Sequence, residues 1–159
     1  LLLTPLQMAN ITAIIANKGY YYTPHIIKAI SGSKIDSSFL KKRFCSINKK
    51  YFDPVIDGME KVLTGNEGTA VNSQIDSIVV CGKTGTAQNP HGEDHSIFIA
   101  FAPRENPKIA IAVYVENGGW GATWAAPIAT LMIEKYLKNK ISNLNQENFI
   151  LNGFLSSEK

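Results

Sequence analysis

The sequence predicts an α+β domain in which a small antiparallel sheet is covered by helices. Two near-continuous apolar runs, 97–101 and 109–115, have the length and β-branched content of buried central strands. A short turn with two prolines separates the runs, so we expect them to pair as an antiparallel hairpin. Helical patterns stand before and after this pair, which favours segregated helices and strands over a repeated β-α-β order.

The composition is typical of a globular chain with one ordinary core. Of the 159 residues, 45% are hydrophobic and 18% are charged, and the net charge is +3. Lys41-Lys42-Arg43 and Lys49-Lys50 are the densest basic clusters. No aromatic stacking pattern accompanies them, so they indicate a solvated face, and we expect no nucleic-acid partner. Since the chain starts without Met and its first helix begins at once, we expect a piece of a longer protein.

The first helix begins at Thr4-Pro5-Leu6-Gln7. Thr4 is a capping residue, Pro5 suits the first helical position, and Gln7 completes a capping box worth about 1 kcal/mol. Gly19 ends this helix. The broad apolar face consists of Leu6, Met8, Ala9, Ile11, Ile14 and Ile15. Short extended segments are expected over 20–30, followed by an irregular surface excursion over 31–50.

A second helix is predicted from Asp53-Pro54 to Gly65. Its apolar positions fall at helical spacing: Val55, Ile56, Met59, Val62 and Leu63. A glycine-rich loop, 65–69, then leads to the first strand, predicted over 77–81. After the hairpin, glycines at 118, 119 and 121 break the sheet.

The last helix is predicted to begin at Pro127. Its apolar face is expected to hold Ile128, Leu131, Met132 and Tyr136. Beyond Lys138 the chain is rich in Asn, Lys and Ser, which predicts a polar tail over 139–159 with 149–151 as an apolar docking patch.

No metal or organic cofactor is expected. Cys45 and Cys81 have neither metal-ligand nor redox spacing, and we interpret both as free and structural. His91 and His95 stand four apart, as on some zinc helices, but a proline and a glycine oppose a helix there. A loop in which Asp94 and His95 make local hydrogen bonds is the favoured interpretation.

The segment that carries most chemical information is Lys83-Thr84-Gly85-Thr86, at the end of an apolar β-branched run. An ammonium, hydroxyls and free backbone N–H groups along one strand edge suit a carboxylate that lies beside a carbonyl under attack. An alternative is the end of a phosphate-binding loop, which needs a glycine where Ser77 stands and a helix from Lys83. Another is a ligand groove lined by Trp120 and Trp124 with the tyrosines at 20–22; such aromatics more often seal a core edge.

Lys83-Thr84-Gly85-Thr86 resembles the third signature of the penicillin-binding proteins and serine β-lactamases. Within the class B penicillin-binding proteins, the chain is most similar to elongation-type transpeptidases, the penicillin-binding protein 2 group. This resemblance covers 1 to about 138 and implies the C-terminal portion of the β-lactamase/transpeptidase-like fold. The matching segments are Thr4-Pro5-Leu6-Gln7-Met8-Ala9, Gly68-Thr69-Ala70, Lys83 through Gln88, Asp94-His95, Phe98 through Pro103, Glu116-Asn117-Gly118, Gly121-Ala122 and Ala125-Ala126-Pro127.

The resemblance implies a role for each residue of this strand. Lys83 stands near a serine nucleophile and attracts a carboxylate, which the hydroxyls of Thr84 and Thr86 bind. The backbone N–H of Thr86 is one of two oxyanion donors. Gly85 keeps the strand open to substrate, and the edge that continues through Ala87 and Gln88 pairs with an extended peptide.

The nucleophile itself is expected upstream of Leu1. In the family, a serine followed three residues later by a lysine, and then a Ser-x-Asn element, precede the Thr-Pro-Leu-Gln helix. Two local matches, Ser31-Gly32-Ser33-Lys34 and Ser46-Ile47-Asn48, follow that helix instead. We interpret both as chance matches, because Gly32 opposes the helix that would align Ser31 with Lys34.

The resemblance therefore implies a peptidoglycan D,D-transpeptidase, with this fragment inactive by itself. Its expected partners are peptidoglycan stem peptides, β-lactam antibiotics and cell-elongation membrane proteins. Its expected location is the outer side of the cytoplasmic membrane, in a membrane-anchored protein. Alternatives are a division-type transpeptidase, a D,D-carboxypeptidase, or a non-catalytic β-lactam sensor domain.

Overall fold

The computed structural model describes residues 2–27, 29–32 and 34–155. Its elements, in chain order, are α1 (Pro5–Ala16), β1 (Tyr20–Tyr21), α2 (Ser37–Leu40), β2 (Arg43–Phe44), α3 (Phe52–Thr64), β3 (Cys81–Ala87), β4 (His95–Ala102), β5 (Ile109–Val115), α4 (Ala125–Lys138) and α5 (Leu144–Asn152). Helices and strands are segregated as predicted, so the α+β class is confirmed.

The main sheet has three antiparallel strands in the order β3-β4-β5. Gly85 lies opposite Ile97, and Ile97 lies opposite Tyr114. The predicted hairpin between the two apolar runs is confirmed. A separate two-stranded ribbon joins β1 to β2, with Tyr20 opposite Phe44.

One face of the main sheet, which we call the closed face, is fully covered along its central strand β4. It carries Ser96, Phe98, Ala100 and Ala102 of β4, all with 0% exposure. Helix α4 packs on this face, and small residues at its surface let helix and sheet approach closely. The same core cluster includes Leu63, Ala70, Val80, Ala125, Ala126, Ala129 and Ile133.

The opposite face, which we call the open face, is covered only at one end. There Cys81 and Phe101 are buried with Phe52, Ile56 and Met59 of α3, and α1 packs beside them. Further along, Ile97 and Ile99 are half-buried and Tyr114 is exposed. Among the described residues, the expectation of two central strands covered on both faces was therefore wrong: β5 is an edge strand there, and only one face of β4 is closed along its length.

The first helix was predicted correctly down to its cap. The Thr4 hydroxyl accepts from the backbone N–H of Gln7 at 3.3 Å, and the Gln7 side chain accepts from the Thr4 N–H at 2.8 Å. The chain leaves α1 through Lys18 and Gly19, both with positive φ, and Gly19 has φ 110°. This turn delivers the chain to β1.

The apolar face predicted for α4 was right only in part. Leu131 is buried and Ile128 is half-buried, but Met132 and Tyr136 are 55% and 62% exposed. Ala129, Ile133 and Glu134 are buried in their place. Alanines carry little hydrophobic signal in a sequence pattern, yet they face the sheet because they allow close packing. Glu134 is tolerated inside because its carboxylate accepts from the Ser142 N–H at 3.0 Å and the Lys138 ammonium at 3.2 Å.

Those contacts also define the pKa of Glu134. Burial raises it, but the hydrogen bonds from Ser142 and the charge and hydrogen bond of Lys138 together outweigh burial and lower the pKa below its ordinary value. The carboxylate therefore stays ionised and ties the end of α4 to the chain that follows.

The segment after Lys138, expected as a polar tail, contains α5. Asn143 caps this helix through the Gln146 N–H at 3.0 Å, and the Gln146 amide donates to the Thr130 hydroxyl at 3.1 Å. Phe149 stacks on Trp124 at a centroid distance of 5.1 Å. Phe149 of the predicted docking patch therefore packs against the chain just before α4. Residues 156–159 of the predicted tail lie outside the described residues.

Among the helices of the described ranges, none has the length and apolar character needed to cross a lipid bilayer.

Candidate functional site

Strand β3 places Lys83, Thr84, Gly85, Thr86 and Ala87 in one extended segment at the border of the sheet. The strand was predicted over 77–81, four residues too early at its start. Ser77 has φ 62° and lies in a turn, and Val79 precedes the ladder, which begins at Cys81. Pairing with β4 sets the register of β3 despite its two glycines, which local propensity disfavours in a strand.

Within the described residues, β3 pairs with β4 along one side only. An unpaired strand edge presents alternate backbone N–H and C=O groups to any extended chain that approaches. Gln88 is exposed immediately after the strand and prolongs the same border. The six residues predicted to bind or activate substrate thus lie contiguously along one free edge.

The side chains alternate between the two faces of the sheet. Lys83 and Gly85 lie opposite Ile99 and Ile97 and belong to the open face. Thr84 and Thr86 lie opposite Phe98 and Ser96 and share the other side of the strand. The two hydroxyls therefore stand on one side of the edge, and the ammonium stands on the other.

Lys83 is exposed, and its ammonium donates to the backbone carbonyl of Thr84 at 2.7 Å. This bond holds the solvent-exposed ammonium close to the strand edge. It is a bond to a neutral acceptor of the same strand, so the ammonium has further donors free for an anionic group.

The two glycines of β3 differ in whether packing excludes a side chain at their position. A Cβ on Gly82 would lie 2.3 Å from Cζ of Phe98, so packing on the closed face requires glycine there. A Cβ on Gly85 would meet its nearest atom, Cβ of Ile97, at 3.4 Å, an ordinary contact. Packing does not demand glycine at 85, and the open face beside it is free for another molecule.

A third glycine fixes the loop after β5 against the strand. A Cβ on Gly121 would lie 2.4 Å from the carbonyl oxygen of Ile97 and 2.6 Å from that of Gly85. The buried Ser96 hydroxyl donates to the Trp120 carbonyl at 2.9 Å and accepts from the Ala125 N–H at 3.1 Å. This loop therefore supports β3 and starts α4 at the same time.

A threonine outside the strand joins the site. The hydroxyls of Thr69 and Thr84 lie 2.9 Å apart and are hydrogen-bonded. Sequence reasoning quoted Thr69 only within a matching segment and gave it no role. Nothing in the sequence places two hydroxyls fifteen positions apart in contact; only the loop's path beside β3 does so.

A groove of about 600 Å³ opens next to Lys83. The end of α3 and the loop that follows form its other walls, through Lys61, Val62, Glu67 and Thr69 among others. The strand edge is therefore bordered by a concave surface that can receive part of a ligand.

Beyond the strand, hydrogen bonds close the loop between β3 and β4. The Asp94 carboxylate accepts from the Asn89 N–H at 3.0 Å, and His95 Nδ1 accepts from the Asn117 N–H at 3.0 Å. The Asn89 amide donates to the Asn117 side chain at 2.9 Å. The expected local hydrogen bond of Asp94 is thus confirmed, and no helix forms across 90–94. His95 instead begins β4, and its hydrogen bond reaches across to the chain after β5.

The alternatives raised by the sequence find no geometric support. Strand β3 continues through Lys83, where a phosphate-binding loop would begin a helix. Across the described ranges, no three His, Cys, Asp or Glu side chains gather closely enough to hold a metal ion. Tyr20 packs with Tyr22 and Phe44 on the β1–β2 ribbon, whereas Trp124 stacks on Phe149, so these aromatics form separate clusters.

The local Ser-x-x-Lys match does not form a nucleophile site. Ser31 and Gly32 lie in a turn, Gly32 has φ 75°, and Lys34 is outside any helix; Ser33 lies outside the described residues. The Ser46 match lies in a bend after β2. Neither serine has a lysine aligned one helical turn away.

The two cysteines are free, as expected, and differ in environment. Burial at the covered end of the open face raises the pKa of the Cys81 thiol to about 12, with smaller contributions from Asp57 and Glu105. Cys45 is half-buried beside the β1–β2 ribbon. Cys81 is therefore a structural thiol at neutral pH.

Comparison with known proteins gives a consistent family assignment. Residues 1–134 match the family described as "Penicillin binding protein transpeptidase domain". The chain is 33% identical over 164 residues to the peptidoglycan D,D-transpeptidase MrdA of Haemophilus influenzae, across 91% of this chain and 25% of that protein.

Two solved structures extend the likeness to three dimensions. Penicillin-binding protein A from M. tuberculosis, in an imipenem acyl-enzyme complex, has a TM-score of 0.70 and 30% identity, with 85% of this chain and 31% of that chain covered. The complex between penicillin-binding protein PBP2 and MreC from Helicobacter pylori has a TM-score of 0.66 and 31% identity, with 84% and 24% covered. The chain thus spans between about a quarter and a third of the length of these relatives.

Proposed function

Because the chain belongs to the penicillin-binding protein transpeptidase family, we propose that it is the C-terminal part of a peptidoglycan D,D-transpeptidase of cell-wall elongation. The observation that carries this proposal is the free edge of β3, where one ammonium and two hydroxyls flank unpaired backbone groups. The relative MrdA, named a peptidoglycan D,D-transpeptidase, supports the same activity for the whole protein.

The proposed reaction is acyl transfer in two steps. A serine oxygen of the whole protein attacks the carbonyl of the penultimate D-Ala of a stem peptide; the amide bond breaks, and the terminal D-Ala leaves with a proton. An amine of a second stem peptide then attacks the ester, which forms the cross-link and frees the serine. A β-lactam acylates the same serine when its ring amide opens.

We assign the residues of β3 by resemblance and position. Lys83 stands on the open face, where it faces the serine and assists its deprotonation. Thr84 and Thr86 share one side of the strand, which suits a carboxylate held by both hydroxyls. The Thr86 N–H donates to the oxyanion, a contact whose loss typically costs about 3 kcal/mol in an acyl-transfer enzyme.

The strand edge from Gly85 through Ala87 to Gln88 binds the extended peptide by strand addition. The serine lies upstream, in a part of the whole protein that covers the open face. Half-buried Ile97 and Ile99, next to Lys83 and Gly85, support such a cover because isolated apolar sheet surface is otherwise costly to expose.

The proposed partners are stem peptides, β-lactam antibiotics and membrane proteins of cell elongation. The solved relatives support this: one is an imipenem acyl-enzyme, and another is complexed with MreC. The proposed location of this domain is the outer side of the cytoplasmic membrane, in a membrane-anchored protein. Residues 1–138 form the C-terminal part of the transpeptidase domain, and 139–159 form a polar C-terminal tail, in which Gln146 of α5 donates to the Thr130 hydroxyl of α4.

The proposal is tested by acylation and cross-linking with the purified whole protein. A fluorescent penicillin is expected to label it stoichiometrically, and unlabelled benzylpenicillin should compete. With a D-Ala-D-Ala donor peptide and an amine acceptor, a cross-linked product should form in excess over the hydrolysed donor. Hydrolysis alone would instead indicate a carboxypeptidase, and failure to label would refute the acyl-transfer proposal.

A further inference from the structure

We propose that Thr69 is a positioning residue: it donates a hydrogen bond to the Thr84 hydroxyl and thereby aims the Thr84 proton at the ligand carboxylate. This inference rests on the proposed function, in which Thr84 binds that carboxylate. Its observation is the 2.9 Å separation of the two hydroxyl oxygens.

The direction of this bond follows from the protons available. Each threonine hydroxyl has one proton to donate and two lone pairs to accept with. If Thr84 donates its proton to Thr69, none is left for a carboxylate, which can only accept. In the bound state Thr69 must therefore be the donor, which leaves the Thr84 proton free for the ligand.

Backbone hydrogen bonds and close packing fix the position of the loop that carries Thr69. The N–H of Ala70 donates to the Val62 carbonyl at 2.9 Å, and the N–H of Gly68 donates to the Gly65 carbonyl at 2.9 Å. A Cβ on Gly68 would lie 2.6 Å from the carbonyl oxygens of both Lys61 and Val62. The loop therefore lies directly against the end of α3, and Ala70 beside Thr69 is 3% exposed.

The Thr84 hydroxyl, by contrast, can rotate about its C–O bond, because Thr84 is only half-buried. A fixed donor at Thr69 removes the rotations in which the Thr84 proton points away from the edge. Loss of one such neutral hydrogen bond is expected to weaken carboxylate-dependent acylation by about 3- to 10-fold.

The test compares acylation rate constants of the whole protein for benzylpenicillin and for its methyl ester, whose carboxylate is blocked. The variants are Thr69→Val, which keeps the shape, Thr69→Ser, which keeps the hydroxyl, and Thr84→Val. Thr64→Val is the matched control, since the Thr64 hydroxyl donates to the Glu60 carbonyl of its own helix, at 3.1 Å, and lies outside the proposed site. Thermal unfolding checks that each variant is folded.

We expect Thr69→Val to slow acylation by benzylpenicillin about 3- to 10-fold and by the ester less than about 2-fold. Thr69→Ser and Thr64→Val should stay within about 2-fold of wild type. In the Thr84→Val background, Thr69→Val should have no further effect, because the two side chains act as one unit.

Three results would overturn the positioning role: equal acylation of Thr69→Val and wild type, an equal loss with the ester, or an undiminished loss in the Thr84→Val background. The last would mean that Thr69 contacts the ligand itself. A wild-type protein that benzylpenicillin does not acylate would instead refute the proposed function, and this inference with it.

Discussion

The two faces of the three-stranded sheet differ in what they require of their side chains. On the closed face, Phe98 and Ala100 are fully buried under α4, and a Cβ on Gly82 would collide with the Phe98 ring. On the open face, Gly85 and Ile97 border space that the described residues leave partly uncovered. The closed face along β4 carries stability, whereas the open face and the edge of β3, with Thr84 and Thr86 on its other side, carry the proposed chemistry.

The largest expected effect is the loss of acylation in Gly85→Val. A valine side chain would project from the open face into the space assigned to substrate, and we expect at least about a 1,000-fold slower reaction with penicillin, roughly 4 kcal/mol. The fold should persist, because a Cβ at 85 makes an ordinary contact of 3.4 Å with Ile97. Penicillin labelling and thermal unfolding of the whole protein measure the two quantities. Normal labelling would refute the assignment of Gly85.

Gly82→Ala tests the closed face in the same strand. Its methyl would lie 2.3 Å from the end of the Phe98 ring, which is packed on all sides and cannot move aside freely. We expect a loss of about 3 kcal/mol in the free energy of unfolding. Gly85→Ala is the matched control and should change stability by less than about 1 kcal/mol. Similar losses of unfolding free energy in both variants would contradict the claim that packing requires glycine at 82 but not at 85.

Ser96→Ala tests the two buried hydrogen bonds of the closed face. The Ser96 hydroxyl satisfies both the Trp120 carbonyl and the Ala125 N–H, and its removal leaves these two groups without that partner. We expect a loss of about 2 kcal/mol in unfolding free energy. Chemical denaturation measures it. Ser38→Ala on the exposed helix α2 is the control and should be nearly neutral. An unchanged midpoint for Ser96→Ala would show that water replaces the hydroxyl without cost.

The smallest effect concerns the covered end of the open face, where Cys81 lies. Its raised pKa, about 12, keeps the thiol protonated at pH 8, so alkylation should modify Cys45 but not Cys81. Because the pKa of Cys81 is higher in the folded state, its protonated thiol contributes to the free energy of unfolding. This contribution is fully present below the ordinary pKa of 9.0 and is lost as pH rises from there towards 12. Mass mapping of alkylated peptides checks the prediction. Fast labelling of Cys81 would show that the covered end opens.

Features of the fold that depend on neighbouring residues could be predicted from the sequence, and those set by distant packing could not. The capping box at Thr4, the hairpin of β4 and β5, and the helix after Asp53 depend on local patterns and were predicted. The face of α4 was predicted only in part, because alanine packing and the buried Glu134 depend on the sheet opposite them. The start of β3 was misplaced because its register comes from β4.

The site residues that are contiguous in sequence could be predicted, whereas contacts between distant residues could not. Lys83 to Gln88 form a contiguous motif, so sequence alone brought them together. Thr69 was not assigned a role, because its contact with Thr84 depends on the three-dimensional path of the loop. The different reasons for Gly82 and Gly85 were equally invisible in the sequence, since only the positions of Phe98 and Ile97 separate them.

The most direct test of the central claim is to locate the penicillin adduct in the whole protein. In the proposed function, β3 binds the substrate while the nucleophile lies upstream. After reaction with benzylpenicillin and proteolysis, mass spectrometry should find the adduct on a serine N-terminal to the residues described here and on none of residues 1–159. An adduct on Ser31, or on any other serine of this chain, would contradict the account.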